Sequence, residues 1–290
     1  MVQAHVEEYS ADELTALLPL PAEDANKYTR GTLWAVVGSA RYPGAACLAS
    51  LAGQRTGAGY TRVVTVPEAV DLVRSCSPSP VTMPFEELRA PDLPAERPGH
   101  PSACVVGCGF DASDDAAARL TNLVLKYAQV PVLVDGGALS TLATAKGRRL
   151  LRRRFIRGWE TVVTPHAGEA ARLAEPFGLP VDDPARLARL IALAYGAVAV
   201  VKGPQTFVSD GERTVRMPEG TPALAKAGTG DVLAGIVGAL LAQGLNPLDA
   251  AVLGATLHAR AGRAAESRFT AISLVAEDVI DAIPEAIRSF

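Results

Sequence analysis

The segment Gly228-Thr229-Gly230-Asp231 runs into Val232-Leu233-Ala234-Gly235-Ile236-Val237-Gly238, a small and apolar stretch that suits a buried helix. Glycines at 228 and 230 let the backbone turn with its N–H groups outward, and a helix beginning near Asp231 adds its unpaired N–H groups and the positive end of its dipole. Together they form an anion hole for a phosphate. A carboxylate beside that hole is placed to take a proton from a hydroxyl that attacks phosphorus. Asp231 is therefore the candidate base, and Gly228, Thr229 and Gly230 are candidate nucleotide contacts. The plain alternative makes Asp231 a helix cap and the glycines a loop. Lys202 opens the turn Gly203-Pro204-Gln205-Thr206 and is positioned to meet nucleotide phosphates that these residues would wrap. Its alternative is a solvated strand end. His166, in Thr164-Pro165-His166-Ala167-Gly168-Glu169, either contacts substrate or satisfies loop carbonyls. His258 reads as a packed structural histidine. There is no Gly-x-x-x-x-Gly-Lys-Ser/Thr phosphate loop. Nor does a Gly-x-Gly-x-x-Gly turn follow the first strand, and Gly57-Ala58-Gly59 leads into a strand rather than a helix.

Positioning these residues requires a parallel sheet. Short valine-rich runs over 33–37, 61–66, 103–106, 130–134, 161–164 and 198–201 have the length and apolar continuity of strands buried on both faces. Alanine-rich helical segments over 45–55, 116–128, 168–175 and 184–195 alternate with them, the pattern of βαβ units. Ligands of such sheets bind outside the strands' carboxyl ends. Those ends read Gly38-Ser39, Gly107-Cys108-Gly109, Asp135-Gly136-Gly137, Pro165-His166 and Lys202-Gly203. Asp210-Gly211 between 206–209 and 214–217 predicts an antiparallel hairpin at a sheet edge. Two long helices are expected over 231–243 and 249–266. Ser10 and Glu13 have capping-box spacing for a short helix over 10–20. Residues 77–101 read as an irregular surface excursion. The expected organisation is an N-terminal extension over 1–25, then one domain over 26–290.

The chain of 290 residues is 49% hydrophobic with a formal charge of −3, so no whole-protein field draws it to nucleic acid or an anionic membrane. Seven Lys or Arg within 146–157 flank apolar residues at helical spacing and read as a solvated face. The four cysteines form no Cys-x-x-Cys pair and are expected as free buried thiols in a reducing cytoplasm. No residue is assigned as a metal ligand. The acidic N-terminus does not read as a signal peptide, and no uninterrupted apolar run suggests a membrane span.

From Asn26 onward the ordered set of motifs resembles the ADP-dependent NAD(P)H-hydrate dehydratases of the ribokinase-like superfamily. The set includes Lys27-Tyr28, Arg30-Gly31, Gly38-Ser39, Tyr42 and Gly44-Ala45. It continues through Arg55-Thr56-Gly57-Ala58-Gly59, Gly107-Cys108-Gly109, Asp135-Gly136-Gly137-Ala138-Leu139 and Thr164-Pro165-His166-Ala167-Gly168-Glu169. It ends with Lys202-Gly203, Gly228-Thr229-Gly230-Asp231, Ala242-Gln243-Gly244 and Leu257-His258. The resemblance implies a three-layer α/β/α sandwich with a mostly parallel sheet and an antiparallel edge hairpin. It implies repair of hydrated NADH or NADPH, with water removed from the S form while ADP is split to AMP and phosphate. It places Ala45, His166 and Asp231 on the hydrated cofactor, with the turn holding Gly109 and Asp111 close by. Lys202, Gly203, Pro204, Gln205, Thr206 and Gly230 would hold the adenine nucleotide. Magnesium, assembly of several copies, and cooperation with a separate epimerase are further expectations.

The chain departs from that pattern at several positions. Thr221 stands for Asn, Lys226 adds a charge near the expected phosphate hole, Asp111 replaces the last glycine of Gly-Pro-Gly-Leu-Gly, and Gly137 replaces the second acid of Asp-x-Asp. Two alternatives follow. One is a kinase of the hydroxymethylpyrimidine or hydroxyethylthiazole type, which would use the same Asp231 and release a phosphorylated product. The other is a catalytically silent nucleotide binder.

Overall fold

The computed structural model describes residues 6–290. Ten strands form one sheet. In chain order they are β1 (Val6–Glu7), β2 (Thr32–Val36), β3 (Tyr60–Thr65), β4 (Val81–Pro84), β5 (Ser102–Val106), β6 (Val132–Val134), β7 (Thr161–Val163), β8 (Val198–Val201), β9 (Thr206–Ser209) and β10 (Thr214–Met217). Their spatial order is β1-β10-β9-β8-β7-β6-β5-β2-β3-β4, parallel throughout except that β9 runs against both β8 and β10.

Side-chain alternation along each strand assigns residues to two cores. Leu33, Ala35 and Val37 enter one with α2 (Gly44–Arg55), α9 (Thr229–Ala242), α10 (Pro247–Ser273) and α11 (Ala276–Arg288). Trp34 and Val36 enter the other, with α4 (Asp115–Tyr127), α5 (Ala138–Ala143), α6 (Ala145–Ile156), α7 (Ala167–Ala174) and α8 (Pro184–Tyr195). The result is the three-layer sandwich expected. The alanines and glycines of α2 and α9 let these helices cross closely. A Cβ on Gly235 would lie 2.2 Å from the Ala49 carbonyl oxygen.

Several elements differ from the sequence expectation. The helix carrying Asp231 starts at Thr229, with Gly228 as its cap at φ +91°, so Asp231 belongs to the first turn. The helix expected over 10–20 is shorter, α1 (Ala11–Ala16), and keeps the Ser10–Glu13 capping box. The hairpin β9–β10 does not end the sheet, because β1 pairs in parallel with β10 and the Arg213–Glu7 ion pair ties them. The stretch 77–101 contains an edge strand, β4, preceded by the unforeseen helix α3 (Pro67–Cys76). The basic run forms α6, yet one of its arginines is not solvated. Arg154 is fully buried and donates to the carbonyls of Ala128, Val130 and Glu160 and to the Thr161 hydroxyl. Cys47, Cys104 and Cys108 are buried free thiols, whereas Cys76, on the outer end of α3, is exposed.

Candidate active site

Adjacent strands β8, β7, β6 and β5 end side by side, and the next residues bring four polar side chains together. Lys202 Nζ donates to Asp135 Oδ1 at 2.9 Å, and the Thr164 hydroxyl donates to the same oxygen at 2.6 Å. The Cys108 thiol reaches Asp135 Oδ2 at 3.8 Å. Across from them the first turn of α9 presents Asp231. One ligand atom from each of Cys108, Asp135 and Asp231 lies within 4.8 Å of the others. Lys202 also faces the α9 terminus, since a Cβ on Gly230 would stand 3.5 Å from its Nζ.

The α9 terminus keeps donors free. Val232 N–H bonds to the Gly228 carbonyl, while among the described residues no backbone carbonyl outside the helix accepts from Gly230 or Asp231. The Thr229 hydroxyl is used internally, bonding to the Leu224 and Lys226 carbonyls and closing the approach loop. Gly203, Pro204 and Gln205 form an exposed turn beside Lys202, and Thr206 begins β9. Lys202 thus stands at the start of this turn with its Nζ facing Gly230 at the α9 terminus.

Electrostatics follows from burial. Removal from water, then the neighbouring Asp135 charge, push the Asp231 carboxyl up to about 7, with Lys202 opposing. Burial lowers the Lys202 ammonium, but Asp135 and Glu169 outweigh it and hold it above its ordinary value. The Cys108 thiol is raised well above its ordinary value by burial and by the two aspartates. Burial likewise raises Glu169, against the pull of Lys202. This donor set does not fit a resident magnesium ion. Mg²⁺ wants near-octahedral oxygen ligands, and here a protonated thiol and an ammonium stand among the two carboxylates.

Beyond the end of β5, Gly109 at φ +71° packs so tightly that a Cβ there would lie 2.6 Å from the Ala45 Cβ. Ser39 Oγ donates to the Gly109 carbonyl at 2.7 Å. The structure therefore brings Ala45 and Gly109 together, and Gly109 adjoins the Cys108 of the aspartate pair. Asp111 sits at the outer rim. Its carboxyl is held low by Ser113 donors and by Arg41, whose Nη1 is 3.4 Å away. His166 caps α7, with Nδ1 accepting from Gly168 N–H at 3.1 Å and Nε2 lying 3.4 Å from Glu169 Oε1. The ring remains half-exposed at the crevice edge, and its backbone pairs with Lys202.

Three departures acquire physical explanations. Thr221 caps the 3-10 turn Pro222–Leu224 and donates to Glu266 at 2.5 Å. Lys226 points its ammonium at the Ile272 carbonyl, 2.6 Å away, instead of at the phosphate hole. At Gly137 a Cβ would collide with the Phe110 carbonyl oxygen at 2.2 Å, so this backbone excludes an acid there. Sequence reasoning did not select Asp135, Cys108 or Glu169 as site residues. The signal for Asp135 was its place at a strand's carboxyl end, the same signal that found Lys202. A cavity of about 650 Å³ lined by Arg30, Gln243 and Asp249 holds none of these candidates. The crevice is defined by converging charge rather than by size.

Residues 33–285 match the model of the family described as NAD(P)H-hydrate dehydratase. The ADP-dependent (S)-NAD(P)H-hydrate dehydratase of Neisseria meningitidis is 36% identical over 266 residues, covering 90% of this chain and 86% of that one. A bifunctional NAD(P)H-hydrate repair enzyme of Salinibacter ruber is also 36% identical, over 96% of this chain but only 52% of its own length. Among solved structures, the ADP/ATP-dependent NAD(P)H-hydrate dehydratase of Bacillus subtilis, co-crystallised with ATP and Mg²⁺, superposes with a TM-score of 0.83 at 27% identity. That match covers 99% of both chains. A ribokinase from Thermotoga maritima, 14% identical with a TM-score of 0.50 over 88% of this chain and 98% of its own, shares the fold alone. With the match running from the first core strand into the last helix, the chain belongs to the NAD(P)H-hydrate dehydratase family.

Proposed function

We propose that this chain dehydrates the S form of hydrated NADH or NADPH, consuming ADP and yielding AMP and phosphate. The observation that carries the reading is Asp231, a carboxyl raised to about 7 in the first turn of a helix whose terminal N–H groups and neighbouring Lys202 face one mouth. Lys202 and the 203–206 turn hold the nucleotide, with Gly228, Thr229 and Gly230 shaping the phosphate hole. Ala45, Gly109, Asp111 and His166 line the hydrated ring's side.

Asp231 takes the proton of the ring hydroxyl as its oxygen bonds to the terminal phosphorus of ADP, and the bond to the bridging oxygen breaks to release AMP. Phosphate is a better leaving group than hydroxide. The ring nitrogen's electron pair expels it, and loss of a proton from the adjacent carbon restores the double bond. The α9 N–H groups and Lys202 balance charge on the transferring group. Magnesium, where used, arrives on the nucleotide's phosphates. ATP serves as an alternative donor, and the unit responsible is residues 26–290. A separate epimerase acts as a functional partner, and copies of the chain assemble in the cytoplasm. No helix among the described residues is long and apolar enough to cross a membrane.

The test is to mix purified protein with acid-hydrated NADH, Mg²⁺ and either ADP or ATP, and to follow the return of the reduced-nicotinamide absorbance. A nucleotide-dependent rise, with AMP formed from ADP, supports the reading. A folded protein that binds ADP yet produces no rise with either nucleotide overturns it.

A further inference from the structure

Asp135 is a charged group of the crevice to which the proposed reaction gives no part. It receives the Lys202 ammonium at 2.9 Å, the Thr164 hydroxyl at 2.6 Å and the Cys108 thiol at 3.8 Å. Its side chain is only 5% exposed. Two of three donors, one of them a full cation, converge on a single oxygen. That arrangement suits a carboxylate, which accepts all three donors at once. Asp231 is differently placed. Of the donors that hold Asp135, only the Cys108 thiol also approaches it, and a carboxylate oxygen of each aspartate falls within the same 4.8 Å cluster. Two acids so close and so dry interact strongly, and the cationic Lys202 bonds to Asp135, not to Asp231.

We propose that Asp135 is a positioning residue whose fixed negative charge makes Asp231 a stronger base. This rests on the reading of Asp231 as the proton acceptor. An ordinary carboxylate is a poor base toward a sugar-like hydroxyl, and proton transfer improves as the acceptor's affinity approaches the working pH. Lys202 has a double part. It holds Asp135 in place, and its own positive charge limits how far Asp231 is raised. The remaining charged neighbours are accounted for. Glu169 on α7 faces Lys202 and Asp135, His166 pairs with Glu169, and His258 on α10 lies within the field of Lys202.

The geometry gives two variants opposite signs. Asp135→Asn removes the fixed charge and releases Lys202 toward Asp231, so the Asp231 titration moves to lower pH by about 1–3 units. Lys202→Met removes the opposing cation, so the same titration moves to higher pH. The measurement is ¹³C NMR of carboxyl-labelled aspartate in the full chain without nucleotide, with the Asp231 signal identified by its loss in Asp231→Asn. In parallel, the acid limb of kcat/KM for hydrated NADH with ADP is followed in wild type and Asp135→Asn, and it should shift with the carboxyl signal. A titration unmoved in Asp135→Asn, or lowered in Lys202→Met, overturns the proposal. Should Asp135→Asn not fold, Asp135→Ser takes its place, and an unmoved Asp231 titration there overturns the proposal. Carboxyl shifts as expected in a protein that dehydrates nothing would leave the pairing standing and remove the dehydratase reading. Activity with an unmoved carboxyl would do the reverse.

Discussion

A carboxyl raised to about 7 has a direct kinetic consequence, because only its ionised form accepts a proton. Below that midpoint kcat/KM should fall about tenfold per pH unit, and above it the rate should level. Asp231→Asn should cut turnover by about two to four orders of magnitude and flatten the acid limb while leaving ADP affinity near that of wild type. Steady-state rates across pH, with calorimetric ADP titration of the variant, check both halves. Near-normal turnover in the variant would remove the base assignment. At this scale the sequence was legible wherever a residue type and a turn announced themselves together, as with Asp231 after two glycines and Lys202 before one. It was silent on Asp135's partners. Lys202 meets Asp135 only because β8, β7 and β6 lie side by side, and Thr164 reaches it only because β7 separates the other two. The use of His166's Nδ1 as a helix cap was open for a related reason, since the sequence does not fix the ring's orientation.

Elements transmit constraints that no single site residue reveals. Asp231 rides on α9 and Ala45 on α2, and these helices touch through glycine. Gly235→Ala would drive a methyl into the Ala49 carbonyl and force the helices apart, costing about 1–3 kcal/mol. Gly44→Ala, in the first turn of α2 with nothing within 4 Å of the added Cβ, should not destabilise and makes the control. Urea midpoints of the two variants measure the contrast. Arg154 poses the same kind of test on the opposite face. Its guanidinium is pulled down to about 10 by burial, yet its four bonds join the end of α4 to the starts of β6 and β7. Arg154→Met should cost about 3 kcal/mol or more by orphaning those acceptors, whereas exposed Arg152→Met should stay within about 0.5 kcal/mol. Composition could not single out one arginine of that run, because which position faces the sheet depends on where α6 begins. The strands that escaped notice, β1 and β4, lie at the sheet margins, and β1 is only two residues long. A pairing that short is set by the partner edge and by ion pairs such as Arg213–Glu7 more than by its own residues.

The two-sided core was legible as a whole, because valine-rich runs without polar alternation require cover on both faces. The charge balance of the folded molecule was not, since it depends on which titratable groups the fold takes out of water. Two of them act in opposite directions. Asp231 titrates ordinarily near 3.8 and near 7 when folded, so between these values the native state keeps a proton that the unfolded chain releases. Stability from this group is therefore lost as pH rises, by up to about 1.4 kcal/mol per unit. His258 has a fully buried Nε2 without a partner, and burial first, then Lys202, lower the imidazole from 6.5 to about 4. In that interval the unfolded chain takes up a proton that the native state refuses, so stability is lost as pH falls. Across about pH 4 to 6.5 the two slopes oppose and largely cancel. Removing either group should expose the other. Relative to wild type, Asp231→Asn should gain stability steadily as pH rises through this interval and stay level above about pH 7. His258→Gln should gain it as pH falls through the same interval, whatever constant offset its packing adds. Denaturant unfolding of the three proteins at matched pH values reads these differences directly, and other titrating groups drop out of each comparison. Parallel curves for wild type and Asp231→Asn would mean that the carboxyl holds no extra proton in the folded state, and the basicity assigned to it would fall with that result.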